Sequence, residues 1–391
     1  MGRKVISMLS FLRDRKVRDV LWQAAGAIVL IALVWFFVSN ASANMVKAGI
    51  ASGFQFLWRD SGIEVPFNLT GYKPSDTILA LLWTGIVNTL LVSAASIVVA
   101  TVIGFTVGLL RLSHNWLLST LAGFYIEFVR NIPLLFFVLF WYFGVLAALP
   151  TPRESLSFLD LAFLNRRGLS IPTPNDLTGF RVAWGVIAGL IAVQWGIARW
   201  ARARQARTGR DFPTWLVGFA MCGALPVLAL VIAGMGTTWD VPTLRGFNYR
   251  GGFVLVPEFV ALFAALSTYT AGFIAEVVRG GILSVRQGQI DAAKALGLTP
   301  GRTIRLVVIP QAMPVIIPPI TSQYLNLIKN SSFGAAIAYP EIVAVFMGSA
   351  LVATGQSIEI IAITLGIYLT LSLAVSLFMN WYNARHKLVK R

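Results

Sequence analysis

The chain has 391 residues, 57% of them hydrophobic and only 12% charged, with a mean hydropathy of +0.75. A soluble domain carries about a quarter charged residues, whereas apolar runs here repeatedly reach the roughly 20 residues that cross a bilayer as a helix, which excludes a soluble fold. These runs lack the roughly ten-residue alternation of barrel strands, and the formal charge of +16 is interleaved with apolar runs, as in the inner loops of membrane proteins rather than a nucleic-acid surface.

The apolar windows predict an all-α integral membrane protein of about eight transmembrane helices, at 20–39, 78–110, 122–149, 182–199, 213–235, 254–279, 304–328 and 357–380. The first reads as a retained span, although the small residues at Ser39–Ala43 resemble a leader cleavage site. The second is too long for an upright crossing and predicts tilt or a projecting end. Pro133 is expected to tilt the start of the third. The seventh holds Pro310, Pro314, Pro318 and Pro319 and is expected to be kinked or broken. With both termini inside, 21 Lys and Arg fall on inner segments and nine on outer ones, the asymmetry that sets orientation. The densest basic cluster, Arg199, Arg202, Arg204, Arg207 and Arg210 beside Asp211, reads as an anchor at the inner membrane surface, where anionic lipid is the alternative role.

Several chemistries are missing from the sequence. There is no G-x-x-x-x-G-K-[ST] for nucleotide phosphates, so neither ATP hydrolysis nor any cofactor is expected of the chain. The two histidines, His114 and His386, lack companions at metal-ligand spacing. A single cysteine, Cys222, leaves no intrachain disulfide. Glu127, Glu258, Glu276 and Glu359 lie near helix ends, whereas a proton-coupled carrier more often holds a carboxylate in mid-span. Energy is therefore expected from elsewhere, and a proton- or sodium-coupled secondary transporter is the alternative. Glu127 and Arg130, like Glu276 and Arg279, are three apart on one helix face and read as structural ion pairs.

Between the sixth and seventh spans, Gln289–Leu296 predicts a short helix ended by Gly297, with Thr299 capping a second helix that has Pro300 at its first position. Ala292, Ala293 and Leu296 give the first helix a small apolar face that could sit closely in a groove of a partner.

The stretch Asp291-Ala292-Ala293, then Gly297, then Val307, then Ile309-Pro310 resembles the E-A-A-x3-G-x9-I-x-L-P loop of permeases in ATP-binding-cassette (ABC) importers. Asp, Val and Ile replace the usual Glu, Ile and Leu. The resemblance extends to the polar amino-acid permeases through Asn88-Thr89-Leu90, Tyr125–Leu135, Tyr269–Ile282 and Leu327–Ser332. It implies a type I importer permease core. That core is divided into 78–149 and 254–391, with the coupling loop at 280–305, after an N-terminal extra span in 1–77. It is interrupted at 150–253 by a two-helix insertion that resembles the general L-amino-acid branch. It further implies partners: two copies of an ABC ATPase seated on Asp291, Ala292, Ala293, Leu296 and Gly297, a second homologous permease, a periplasmic amino-acid-binding protein, and membrane lipid, with no nucleic acid. The location implied is the bacterial inner membrane. Candidate substrate-path residues are Tyr269, Thr270, Gln323, Asn326, Lys329, Asn330, Ser331 and Ser332, the last of them following the proline-rich span, where freed carbonyls and small polar groups could meet an amino acid. The outer stretches 40–77, 236–253 and 331–356 are the expected receiving surface for the binding protein.

Overall fold

A computed structural model of the chain describes residues 15–47, 53–209 and 212–386. Arg210 and Asp211 of the basic cluster, and the charges before Arg15 and after His386, lie outside the described residues. The long helices are α1 (Arg15–Lys47), α2 (Ile78–Arg111), α3 (Trp116–Asn131) with α4 (Leu134–Leu146), α5 (Thr178–Thr208), α6 (Leu216–Met235) and α7 (Pro257–Leu283). After them come a short helix α8 (Gln287–Ala295), then α9 (Ile309–Asn330), a short apolar helix α10 (Val343–Thr354) and α11 (Ser357–His386). Among the described residues, seven helices are long and apolar enough to cross a membrane, and the α3–α4 pair makes an eighth.

That pair corrects the expected third span. In place of one helix over 122–149, α3 and α4 meet at a 108° bend. Ile132 is extended and Pro133 caps α4; a proline disfavours helical geometry in the residue before it, so the break falls there. The seventh span, expected to be kinked or broken, is not broken within its proline-rich part. Helix α9 runs unbroken through Pro314, Pro318 and Pro319, preceded by a π-helical turn at Ile304–Val308 just ahead of Pro310. Prolines inside membrane helices are tolerated where local π adjustments and hydroxyl side chains re-satisfy freed backbone groups.

The core is built on α2 and α7. Gly104 and Gly108 face Ile274 and Ala275 so closely that a Cβ on either would lie 2.6 Å from Ile274 or 2.7 Å from the Ala275 carbonyl oxygen. This small-xxx-small spacing lets two membrane helices approach at backbone distance. Ser96 and Ala100 on α2, with Ala261, Ala265 and Leu266 on α7, continue the seam and are fully buried.

The segments expected outside the membrane are more ordered than loops. Residues 53–77 fold back over the bundle. Phe56 stacks on Phe346, and Phe67 sits among Phe253, Phe259 and Tyr339 with ring centroids 5.8–6.1 Å apart. The stretches flanking the α5–α6 hairpin form short antiparallel strands: β1 (Leu156–Phe158), β2 (Ala162–Asn165), β3 (Gly168–Ile171), β4 (Thr173–Pro174), β5 (Trp239–Asp240), β6 (Thr243–Arg245), β7 (Asn248–Arg250) and β8 (Phe253–Leu255). Strands β1, β2, β3 and β8 make one sheet, with Leu169 opposite Leu255 and Ile171 opposite Phe253. The chain therefore leaves for α5 and returns from α6 through adjacent strands, which closes the hairpin off before α7 begins. Within that hairpin α6 has one buried residue, Ala233, and every described side chain of α1 from Arg18 on is exposed.

Candidate functional site

Two surfaces and one buried cluster draw the chemistry of this chain together. The first surface is α8. Its C-terminus closes as predicted by sequence: Gly297 adopts φ +74°, its N–H donates to the Lys294 carbonyl at 2.9 Å, and the Leu298 N–H donates to that of Ala293 at 3.1 Å. This double closure is the Schellman arrangement, which needs a left-handed residue at Gly297. Pro300 begins the next turn after Thr299.

The expected apolar face of α8 is split. Ala293 is 3% exposed and turns inward beside Ile290, which packs on the bundle core, whereas Ala292 faces out and Leu296 is 82% exposed. The helical period explains the difference, since positions 290 and 293 share one stripe and 292 and 296 another. Asp291 stays at the surface, accepting from the Gln287 amide at 3.0 Å and lying 3.8 Å from Lys294. What α8 presents outward is a small rigid knob of Ala292 and Leu296 beside an acidic side chain.

The second surface is one side of α9. Leu327 and Ile328 are buried against the bundle, and the Tyr324 hydroxyl shares a hydrogen bond with Thr101 on α2 at 2.8 Å. The opposite side carries Asn326 and Lys329, both exposed, and Gln323 and Asn330, both half-exposed. With Ser322, which is also exposed, these polar side chains line the outside of the C-terminal half of the helix. Ser332 donates to the Lys329 carbonyl at 2.8 Å, and Ser331 is 0% exposed and donates to that of Ile328 at 2.7 Å. These two serines cap a helix end, and Ser331 is shut away from any open path. Tyr269 on α7 is half-buried between Phe137 and Phe273, and Thr270 is buried. Neither joins the α9 stripe.

Of the two ion pairs expected from sequence, Glu276 and Arg279 are joined by two hydrogen bonds of 2.9 and 2.6 Å. Glu127 and Arg130 are not joined: the Arg130 guanidinium lies 6.0 Å from the Phe273 ring centre, and the Glu127 carbonyl accepts from the Asn131 side chain at 2.7 Å. The expected pairing does not form because Arg130 turns toward α7, over Phe273 and near Glu276.

The buried cluster was not foreseen from the sequence. The stretch 331–356, expected as an outer loop, folds into the core: Tyr339, Glu341, Ile342 and Phe346 are all 0% exposed. Glu341 is its only charged residue, and a lone charge in 26 otherwise uncharged positions was the signal that could have marked it. Asn88 donates to the carbonyls of Phe67 and Pro340, each at 2.9 Å, and Tyr339 donates to the Asn88 carbonyl at 2.9 Å. Asn88 and Thr89 thus tie α2 to the segment 53–77 and to the turn ahead of α10.

Residues 221–388 match the family described as binding-protein-dependent transport system inner membrane component. Curated relatives extend the likeness over nearly the whole length. YhdX of Escherichia coli, a provisionally named amino-acid ABC transporter permease protein, is 48% identical over 375 residues, 96% of this chain and 95% of the relative. The general L-amino acid transport system permease protein AapQ of Rhizobium johnstonii is 46% identical over 385 residues, covering 98% and 96%. The glutamate/glutamine/aspartate/asparagine transport system permease protein BztB of Rhodobacter capsulatus is 37% identical over 418 residues, covering 99% and 97%. The chain belongs to the binding-protein-dependent transport system inner membrane component family and is an ABC transporter permease.

Proposed function

We propose that this permease translocates L-amino acids, polar or broad in range, as one half of a pore in an ABC importer. The observation that carries the pore assignment is the polar side of α9. Polar groups facing lipid are costly, and inside membranes they turn to a bundle interior or a water-filled cavity. Gln323, Asn326, Lys329 and Asn330 face the outside of this chain, so a second permease covers them and the solute passes between the two. Full-length likeness to permeases named for L-amino acids and for glutamate, glutamine, aspartate and asparagine supports the substrate class.

In this reading two copies of a separate ATPase drive the cycle, one of them seated on the α8 knob. Both termini are cytoplasmic, and a periplasmic amino-acid-binding protein delivers solute to the opposite face. Closure of the ATPase pair moves α8 as a lever, and the rigid seam of α2 and α7 carries the movement across the membrane. The chain reads accordingly as an N-terminal span and loop, 1–77, a permease core in two parts, 78–149 and 254–391, and an insertion, 150–253, between them.

The test is uptake by the complete transporter in proteoliposomes. Leu296→Arg is expected to abolish ATP-driven uptake while the chain still inserts, because the knob is replaced by a charge. Asn326→Leu is expected to lower maximal uptake by about tenfold or more, a loss of transition-state contact worth roughly 1.4 kcal/mol. Normal uptake by both variants at normal abundance contradicts the assignment of these surfaces. Uptake that follows a proton or sodium gradient without ATP favours a secondary transporter instead.

A further inference from the structure

Glu341 belongs to neither proposed surface. Its Oε2 accepts from the Val343 N–H at 2.9 Å and its Oε1 from the Ala344 N–H at 2.8 Å, so the carboxylate holds the first turn of α10. The Tyr368 hydroxyl of α11 donates to Oε2 at 3.0 Å. Thr89 Oγ1 accepts from the Ile342 N–H at 3.2 Å and donates to the Gly85 carbonyl at 2.8 Å, so α2 also holds this turn. A buried carboxylate with three donors is satisfied, and an apolar residue in its place would strand the Val343 and Ala344 N–H groups and the Tyr368 hydroxyl. The cluster therefore fixes the geometry of this turn.

The geometry it fixes is at the outer mouth. Val343 and Ala344, the two residues whose amides Glu341 holds, line a cavity of about 530 Å³ together with Ile63, Val65, Pro340 and Met347. Just before the turn, Ala338 adopts φ +59°, a left-handed conformation that a non-glycine residue keeps only when its surroundings hold it there. One wall of the cavity is therefore a short helix hung on a strained turn, sharing an apolar cluster with α11 that includes Phe346 and Ile360, and tied to it by the hydrogen bond between Glu341 and Tyr368.

We infer that Glu341 is a positioning residue for transport: held by Tyr368, it locks α10 to α11 as a gate over the outer cavity, so that the gate moves with the last span. This rests on the permease reading above. The gate opens when α11 shifts relative to α2, and α10 does not flap by itself.

The experiment compares Glu341→Gln, Tyr368→Phe and the double variant in the complete transporter, reading uptake and amide hydrogen exchange together. Glu341→Gln is expected to lower maximal uptake about tenfold, with the half-saturating concentration of loaded binding protein unchanged within about twofold. Tyr368→Phe, which removes one donor and spares folding, is expected to lower it about threefold, and the double variant is no worse than Glu341→Gln because the two residues act as one unit. Amide exchange at Val343 and Ala344 rises about tenfold in Glu341→Gln while α2 and α7 stay protected. Unchanged exchange in α10 overturns the gate lock whatever happens to uptake, and so do additive losses. A raised half-saturating concentration at full maximal uptake overturns it in favour of a solute or binding-protein contact. A wild-type transporter without ATP-driven uptake defeats the importer reading, while the exchange measurement still decides the lock.

Discussion

Phe67 shows what a single side chain contributes here. It is buried between three other rings, and its carbonyl accepts from Asn88, so it pins the outer segment to α2 and α7 at once. Removing a buried Phe side chain costs about 3–5 kcal/mol. Phe67→Ala should therefore lower the thermal midpoint of the detergent-purified chain and make residues 53–77 cleavable by protease before the helices unfold. The Glu276–Arg279 pair is the opposite case. Both side chains are about a third exposed, and exposed pairs contribute about 1 kcal/mol or less, so Glu276→Gln should leave that midpoint nearly unchanged. Sequence spacing made this pair legible, because two charges three apart on a helix can meet whatever else the fold does. The same spacing misled at Glu127 and Arg130, where the helix ends one residue after the arginine. Glu341 was hidden for another reason: its side-chain partner, Tyr368, lies in a different helix, and only folding brings the two together.

Among the helices, hydropathy located the spans, since a bilayer imposes length and apolarity on any helix that crosses it. What it could not reveal was backbone shape. The bend at Pro133 and the continuity through Pro314, Pro318 and Pro319 depend on whether neighbouring groups take up the freed carbonyls, which composition does not encode. The short strands of 156–174 and 239–255 were hidden among Pro-, Gly- and Asn-rich stretches because each is only two to four residues long. The Gly297 closure of α8 was legible because a left-handed terminus leaves few residue choices. Which of Ala292 and Ala293 faces outward needed the fold. The tightest helix contact, at Gly104 and Gly108, makes a prediction of its own. Gly108→Leu should overpack the α2–α7 seam at a cost of about 1–3 kcal/mol, read as a lower unfolding midpoint and reduced abundance in the membrane. Gly26→Leu on the exposed α1, where nothing lies within 4 Å, should change neither.

For the whole molecule, the arrangement is a bundle that is incomplete alone. A tight α2–α7 seam and a fastened outer gate supply rigidity, while, among the described residues, a polar helix side and an apolar knob at α8 face outward. The hairpin α5–α6 stands apart from this logic: its helices pack on each other, and its ends are stitched into a sheet before the core resumes at α7. Family membership accounts for the incompleteness, since an inner membrane component of a binding-protein-dependent system works within an assembly. The most direct test is to purify the tagged chain from its native membrane and identify what is bound, comparing wild type with Leu296→Arg and Asn326→Leu. Wild type is expected to bring down a cassette ATPase and a second permease, Leu296→Arg to lose the ATPase and keep the permease, and Asn326→Leu to keep both. A chain that purifies alone, and transports in vesicles without ATP, would contradict the importer reading.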